Sequence, residues 1–173
     1  MLLTNMDNPR IAALFLTEIR RDLRPYHRRI QHCLGLLSEE QIWWRPNRAS
    51  NSAGNLVLHL CGNMRQWIIS GLGGAPDLRA RDAEFAARGG IPRRALLRRL
   101  DSTFREADAV LRRLPARSLS RRYVIQGYHV TGLAAVAHVY SHFTYHAGQI
   151  LYIAKLQRAR DLRLTKLPAK RKR

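Results

Sequence analysis

Histidine is the residue type in this chain with the most chemistry to offer. There are seven: His27, His32, His59, His129, His138, His142 and His146. Three of them, His138, His142 and His146, recur at four-residue spacing. On a helix, neighbours four apart sit about 5–6 Å apart at Cβ, close enough to grip one ion, and the H-x-x-x-H arrangement of zinc enzymes uses the same geometry. His138 and His146 are about 12 Å apart along a straight helix, too far to share an ion. The pair is therefore His138/His142 or His142/His146.

A helical wheel separates the two. With His142 at zero and about 100° per residue, His146 falls near +40° and His138 near −40°. Val139, Phe143, Ile150, Val136 and Ala154 fall between roughly +60° and +120°. His146 thus faces the interior, His142 borders it and His138 points further out, so the inward pair is His142/His146. Gln149 lies one turn beyond His146 and can hydrogen-bond behind a ligand. A third ligand must come from elsewhere. His59 borders an apolar stripe of Leu56, Leu60 and Trp67, with Asn55, Asn63 and Gln66 beside it. Buried polar groups need partners or an ion; the bland alternative for His59 is a hydrogen-bonded core residue.

These histidines need helices to carry them, and four segments have helical periodicity. The first spans about 9–37, capped by Asn8 with Pro9 in its first turn. Its stripe is Ile11, Phe15, Ile19, Leu23, Tyr26, Ile30, Cys33 and Leu37, and Pro25 predicts a kink there or a bent first helix. The second spans about 52–70, with Ser50 or Asn51 as cap. The third spans about 92–114, with the stripe Leu96, Leu100, Phe104, Ala107, Leu111 and Leu114. The fourth spans about 132–158, is capped by Thr131, and is apolar over so much of its circumference that it should be the most buried. Four such helices make a four-helix bundle. The connection 71–91 is long enough to return along the bundle, which permits up-down-down-up topology. Tyr123-Val124-Ile125 reads as a short extended piece. The chain is expected to form one domain over 1–165, followed by a basic tail at 166–173 expected to be disordered.

Composition excludes several classes. The 173 residues are 46% hydrophobic, enough to fold without disulfides, so the bulk of the chain is not intrinsically disordered. No stretch reads as a transmembrane helix, and Met1 to Asp7 lacks signal-peptide character. Cys33 and Cys61 form no disulfide framework or CxxC pair and read as buried packing residues; a cytoplasmic location follows as the expectation. There is no glycine-rich phosphate loop, no serine nucleophile elbow and no Glu-x-x-His, which argues against a carboxylate-bridged di-iron centre. The second and fourth helices contain no Asp or Glu, so carboxylate chemistry is not expected at the histidines. The net charge is +19, from 31 Lys+Arg against 12 Asp+Glu. Lysine accounts for only four of the 31, which points to an arginine-rich codon bias. Charge of this sign suits a polyanion, but no nucleic-acid recognition motif accompanies it.

The residues resemble a known family. Trp43-Trp44-Arg45-Pro46-Asn47, then Asn51 to Leu60, then Asn63-Met64-Arg65-Gln66-Trp67-Ile68 are similar to the DinB-like superfamily, nearest an uncharacterised bacterial branch. The likeness continues through Arg81-Asp82-Ala83-Glu84-Phe85 and Ile125-Gln126-Gly127-Tyr128, and ends with His142 to Ile150, covering about residues 8–158. It implies an up-down-down-up bundle, frequent homodimers, and a divalent transition metal, Zn or Ni, held by His59, His142 and His146. Characterised members include thiol S-transferases that use bacillithiol or mycothiol, and a mycothiol-dependent maleylpyruvate isomerase. The resemblance thus implies a metal-dependent transfer in which a low-molecular-weight thiol attacks an electrophile. Asn63, Gln66 and Gln149 are expected to orient ligands, Trp44 and Tyr145 to wall the pocket, and Arg65 to attract an anionic thiol. The competing readings are a non-catalytic metal-binding stress or interaction protein and, third, a charge-driven nucleic-acid-associated protein.

Overall fold

A computed structural model describes residues 8–164; the basic tail expected at 166–173 lies outside the described residues. The protein is mostly helical, with α1 (Pro9–Leu36), α2 (Glu39–Trp43), α3 (Ala53–Met64), α4 (Arg81–Ala86), α5 (Arg93–Arg113), α6 (Arg117–Ser120) and α7 (Gly132–Arg158). A π-helical segment, Arg65–Leu72, continues α3, and a hairpin of β1 (Arg122–Ile125) and β2 (Tyr128–Thr131) precedes α7. None of these helices is long and apolar enough to cross a membrane.

Local chemistry explains where the long helices start. Asn8 Oδ1 accepts from Arg10 N at 2.9 Å, as its side chain suits. The start of α3 is set by Ser52, not by Ser50 or Asn51. Ser52 Oγ accepts from Asn55 N (3.1 Å), and Asn55 Oδ1 accepts from Ser52 N (3.2 Å), a reciprocal box that satisfies two otherwise unpaired donors. Thr131 Oγ1 accepts from Ala134 N at the head of α7.

The stripes need three corrections. In α1 the buried residues are Ala12, Leu16, Leu23, His27, Ile30, Cys33 and Leu34, while Ile11 is 50% exposed. Steps of four from Ile11 drift off a 3.6-residue period, so the early part of the stripe sits one position along. The helix is continuous through Pro25. The second correction concerns α3. It does not continue as α-helix to residue 70 but widens at Arg65 into the π-segment, which Gly73 N closes on Ile68 O, five residues back, at 2.9 Å. Gly71 lies so close to Ile125 of the hairpin that a Cβ there would meet its Cδ1 at 2.6 Å. Third, α3 rather than α7 is the most enclosed helix. All 12 of its residues are buried, whereas α7 exposes Tyr145 and Tyr152.

The helices close around one core. α1 and α3 each pack against both α5 and α7. Arg20 pairs with Asp108 at 2.8 Å and the later His27 lies near the earlier Asp101, so α1 and α5 run antiparallel. The pairs His59–His142 and Asn63–His138 make α3 and α7 antiparallel in the same way. The hairpin registers Ile125 opposite Tyr128. Its two-residue turn, Gln126 (φ 54°) and Gly127 (φ 81°), has the positive φ values that match strand twist.

His27 is a titratable part of this core. It stacks on Phe104 with ring centroids 4.2 Å apart, and its Nε2 is buried without a hydrogen-bond partner. Burial, reinforced by Arg28 and Arg105 and opposed by Asp101, holds its pKa below the ordinary value. Below about pH 6.5 the unfolded chain therefore binds more protons at this position than the folded one, so the stability present at neutral pH declines as pH falls. His27→Leu should show a shallower loss of stability than wild type between pH 7 and 5.5, measured by urea unfolding at both pH values.

Candidate metal centre

The structure brings His59, on α3, onto His142 and His146, on α7. Three of their ring nitrogens, one from each, all lie within 4.8 Å of one another, a spacing that could hold a metal ion. His59 is buried and the other two are half-buried. His59 Nε2 and His142 Nε2 face each other at 3.0 Å. Two ligands of a tetrahedral zinc ion, each about 2.0–2.1 Å from it, stand about 3.3 Å apart, so the spacing suits an ion.

The tautomers suit it as well. A carboxylate only accepts, so the 2.9 Å contact between His59 Nδ1 and Glu84 Oε2 is an Nδ1–H donating. That leaves the His59 Nε2 lone pair aimed at His142. Likewise His146 Nδ1–H donates to Gln149 Oε1 at 2.7 Å, leaving Nε2 as its ligand atom. At 3.0 Å the two Nε2 atoms share either a hydrogen, donated by an Nε2–H tautomer of His142 to the His59 lone pair, or an ion. His142 Nδ1 is buried without a partner, so no protein group sets its tautomer. Burial, then the neighbouring His146, His59 and His138, lower the His142 pKa to about 3. Burial also lowers His146, against the hydrogen bond to Gln149. Both are neutral at neutral pH, as metal ligands must be. The donor set fits a divalent transition ion, and three protein ligands leave coordination positions open.

A carboxylate does reach the site, contrary to expectation. Glu84 arrives on α4, from the connection between α3 and α5, and backs His59 from behind. Arg79 grips it with two parallel bonds, Nε to Oε1 and Nη2 to Oε2, both 2.8 Å. Arg79 Nη1 donates to Gln66 Oε1 at 2.9 Å, and Gln66 Nε2 donates to Asp77 Oδ2 at 2.8 Å. Burial alone would raise the Glu84 carboxyl; the bonds from Arg79 and His59 outweigh it and hold the pKa below the ordinary value. The pair sits directly on α3 because residue 62 is glycine, where a Cβ would collide with Glu84 Oε1. Reading only the helices that bear histidines missed Glu84 and Arg79. The available signals were an acid and an arginine five residues apart in the longest connection, and the place of Glu84 in the Arg81–Phe85 stretch of the family resemblance.

The remaining candidates fall in varied places. Asn63 Nδ2 lies 3.2 Å from His138 Nε2, and His138 stacks on Trp67 with centroids 4.0 Å apart. Gln66 acts on the site through Arg79. Asn55 ties the start of α3 to α4, donating to the carbonyls of Glu84 and Ala87. Tyr145 meets His146 edge-on at 5.0 Å but is 65% exposed. Trp44 does not wall the histidines; it lines a separate hollow with Gln149, Tyr152 and Leu156. Arg65 pairs with Glu106 at 2.6 Å and lines a hollow without the histidines. Cys33 and Cys61 are both buried, and burial pushes their thiols up to about 11 and about 12, so neither is a nucleophile.

A family model described as a protein of unknown function, DUF1572, matches residues 10–171. No curated protein matches the chain.

A carboxylate bonded behind a ligating histidine, as Glu84 is behind His59, orients the ring and raises its basicity, and loss of such a bond costs about 10–100-fold in metal affinity. Glu84→Gln should weaken zinc binding by about that factor, and Gly62→Ala, which displaces the Glu84–Arg79 pair without touching a histidine, should weaken it too. Competition against a chromophoric chelator measures both, with Arg65→Gln as the variant expected to bind like wild type.

Proposed function

This chain belongs to the DUF1572 family, and from that premise we propose that it is a metal-dependent thiol S-transferase built on a DinB-like four-helix bundle of up-down-down-up topology. The observation that carries the proposal is the convergence of three ring nitrogens from α3 and α7 within 4.8 Å. The antiparallel α1/α5 and α3/α7 pairs support the topology, as does the parallel advance from Cys61–Thr103 to Arg65–Glu106 between α3 and α5.

His59, His142 and His146 hold the ion, Zn or Ni. A divalent ion so held lowers the pKa of a coordinated thiol and presents it as thiolate near neutral pH. The protein fixes the geometry of that event. Glu84 and Gln149 hold the Nδ1–H atoms of His59 and His146, so their Nε2 lone pairs stay aimed at one point. Arg79 keeps Glu84 ionised. The deeply buried protein cysteines are protonated, so the reacting thiol is a small molecule from solution. Its S–H proton leaves to solvent, a bond forms between sulfur and the electrophilic carbon, and the leaving group departs with its electron pair. The same reading makes the protein a homodimer. Tyr145, Tyr152 and Leu156 share one face of α7 and are 65%, 64% and 48% exposed, an apolar strip for a second copy to cover.

Elemental mass spectrometry of protein purified without an affinity tag tests the centre. Wild type should carry about one transition-metal equivalent and His146→Ala close to none. The loaded protein should then consume an electrophile only when a thiol is supplied, and His59→Ala should abolish that consumption. Metal without turnover across a panel of thiols and electrophiles would favour a non-catalytic metal-binding protein. No metal, even after incubation with Zn or Ni, would overturn the proposal.

A further inference from the structure

Beside the three histidines lies a cavity of about 450 Å³, within the usual range for small-molecule sites. His59 and His142 line it, together with a wall of rings from Trp67, His138 and Tyr128 and the apolar Val130 and Ala134. Both outer rings lie at moderate tilts to Trp67. Trp67 makes an angle of 30° with His138 and 29° with Tyr128, at centroid distances of 4.0 and 6.4 Å. Two of their ring nitrogens have partners already. Trp67 Nε1 donates to Gln126 Oε1 (3.3 Å), and Asn63 Nδ2 contacts His138 Nε2 (3.2 Å). What the wall offers a ligand is ring surface, chiefly that of Tyr128, which is 62% exposed while Trp67 is 4% exposed and fixed behind it.

The charge at the cavity has one sign. Among the described residues no Asp or Glu lines it, and its arginines are Arg79 and Arg81. Arg79 is neutralised by Glu84. Arg81 lies over the face of Phe85, 5.0 Å from the ring centre, and among the described residues has no carboxylate partner. Phe85 in turn touches His59, with centroids 4.6 Å apart, so this free guanidinium stands at the mouth of the site.

We infer that the cavity takes an aromatic organic anion, its ring against Tyr128 and His138 and its carboxylate at Arg81. Resting on the function proposed above, this assigns the electrophile of the transfer to the aromatic acids, with the reacting carbon turned toward His59 and His142. His138, the α7 histidine outside the three-nitrogen group, is then a stacking surface rather than a ligand.

Calorimetric titration of the full chain, zinc-loaded and chelator-stripped, tests this with three probes. Naphthalene-2-carboxylate has the ring and the charge, naphthalene-2-methanol only the ring, and cyclohexanecarboxylate only the charge. The naphthoate should bind about tenfold or more tighter than either control. Arg81→Gln should remove most of its advantage over the alcohol, and Tyr128→Ala should weaken both naphthalenes; both side chains are exposed, so the fold is not at stake. Equal binding of naphthoate and alcohol, or of naphthoate and cyclohexanecarboxylate, would overturn the inference. Naphthoate binding with no zinc taken up would refute the metal reading and leave the pocket assignment standing. Zinc uptake with no naphthoate binding would do the reverse.

Discussion

The contact on which the site depends is the buried bond between His59 and Glu84. An unpaired carboxylate in that position would be expensive to bury, so Glu84 requires Arg79, and Arg79 is held by Gln66 from the π-segment. One chain of hydrogen bonds thereby joins α3, its π-helical extension and the connection leading to α5. It also decides which nitrogen of His59 faces α7. Glycine at residue 62 makes the arrangement sterically feasible, since the pair lies against the α3 backbone. Removing one member of a buried ion pair is more damaging than never having had it, because the other charge is stranded.

The same economy governs the rest of the molecule. Acids are scarce, 12 against 31 basic residues, and several of them tie elements together. Asp108 holds Arg20 of α1, and Glu106 holds Arg65 at the start of the π-segment. Glu39 of α2 accepts from the first backbone N–H of α5, where a negative charge also suits the helix dipole. Among the described residues no lysine or arginine is buried as a whole residue, so the charge that dominates the composition is not what assembles the site.

The π-segment and the hairpin shape the space beside the histidines. The widened helix after Met64 carries the buried Trp67, Ile68 and Ile69. Gln126, at the hairpin turn, accepts from the indole of Trp67 and fixes its plane. π-turns often mark functional positions, and here the departure from regular helix places an aromatic wall next to His142.

Much of this was readable from residue order. The long helices follow from apolar residues at three- and four-residue steps, and the bounds of α5 and α7 follow from Pro92 and Pro115 and from Thr131. His142 and His146 share a helix face by spacing alone, with Gln149 one turn beyond. These are local matters, fixed by the 3.6-residue period and by capping chemistry within a few positions. The phase of the early α1 stripe, the π-turn after Met64 and the carboxylate behind His59 were not readable in that way. Each depends on which distant side chain fills the space: the hairpin's Ile125 against Gly71, or Glu84 and Arg79 over Gly62. Sequence by itself determined the helices and the inward histidine pair. Only the tertiary structure decided what stands behind and beside those histidines, because burial and a buried charge's need for a partner are set by residues far apart in the chain.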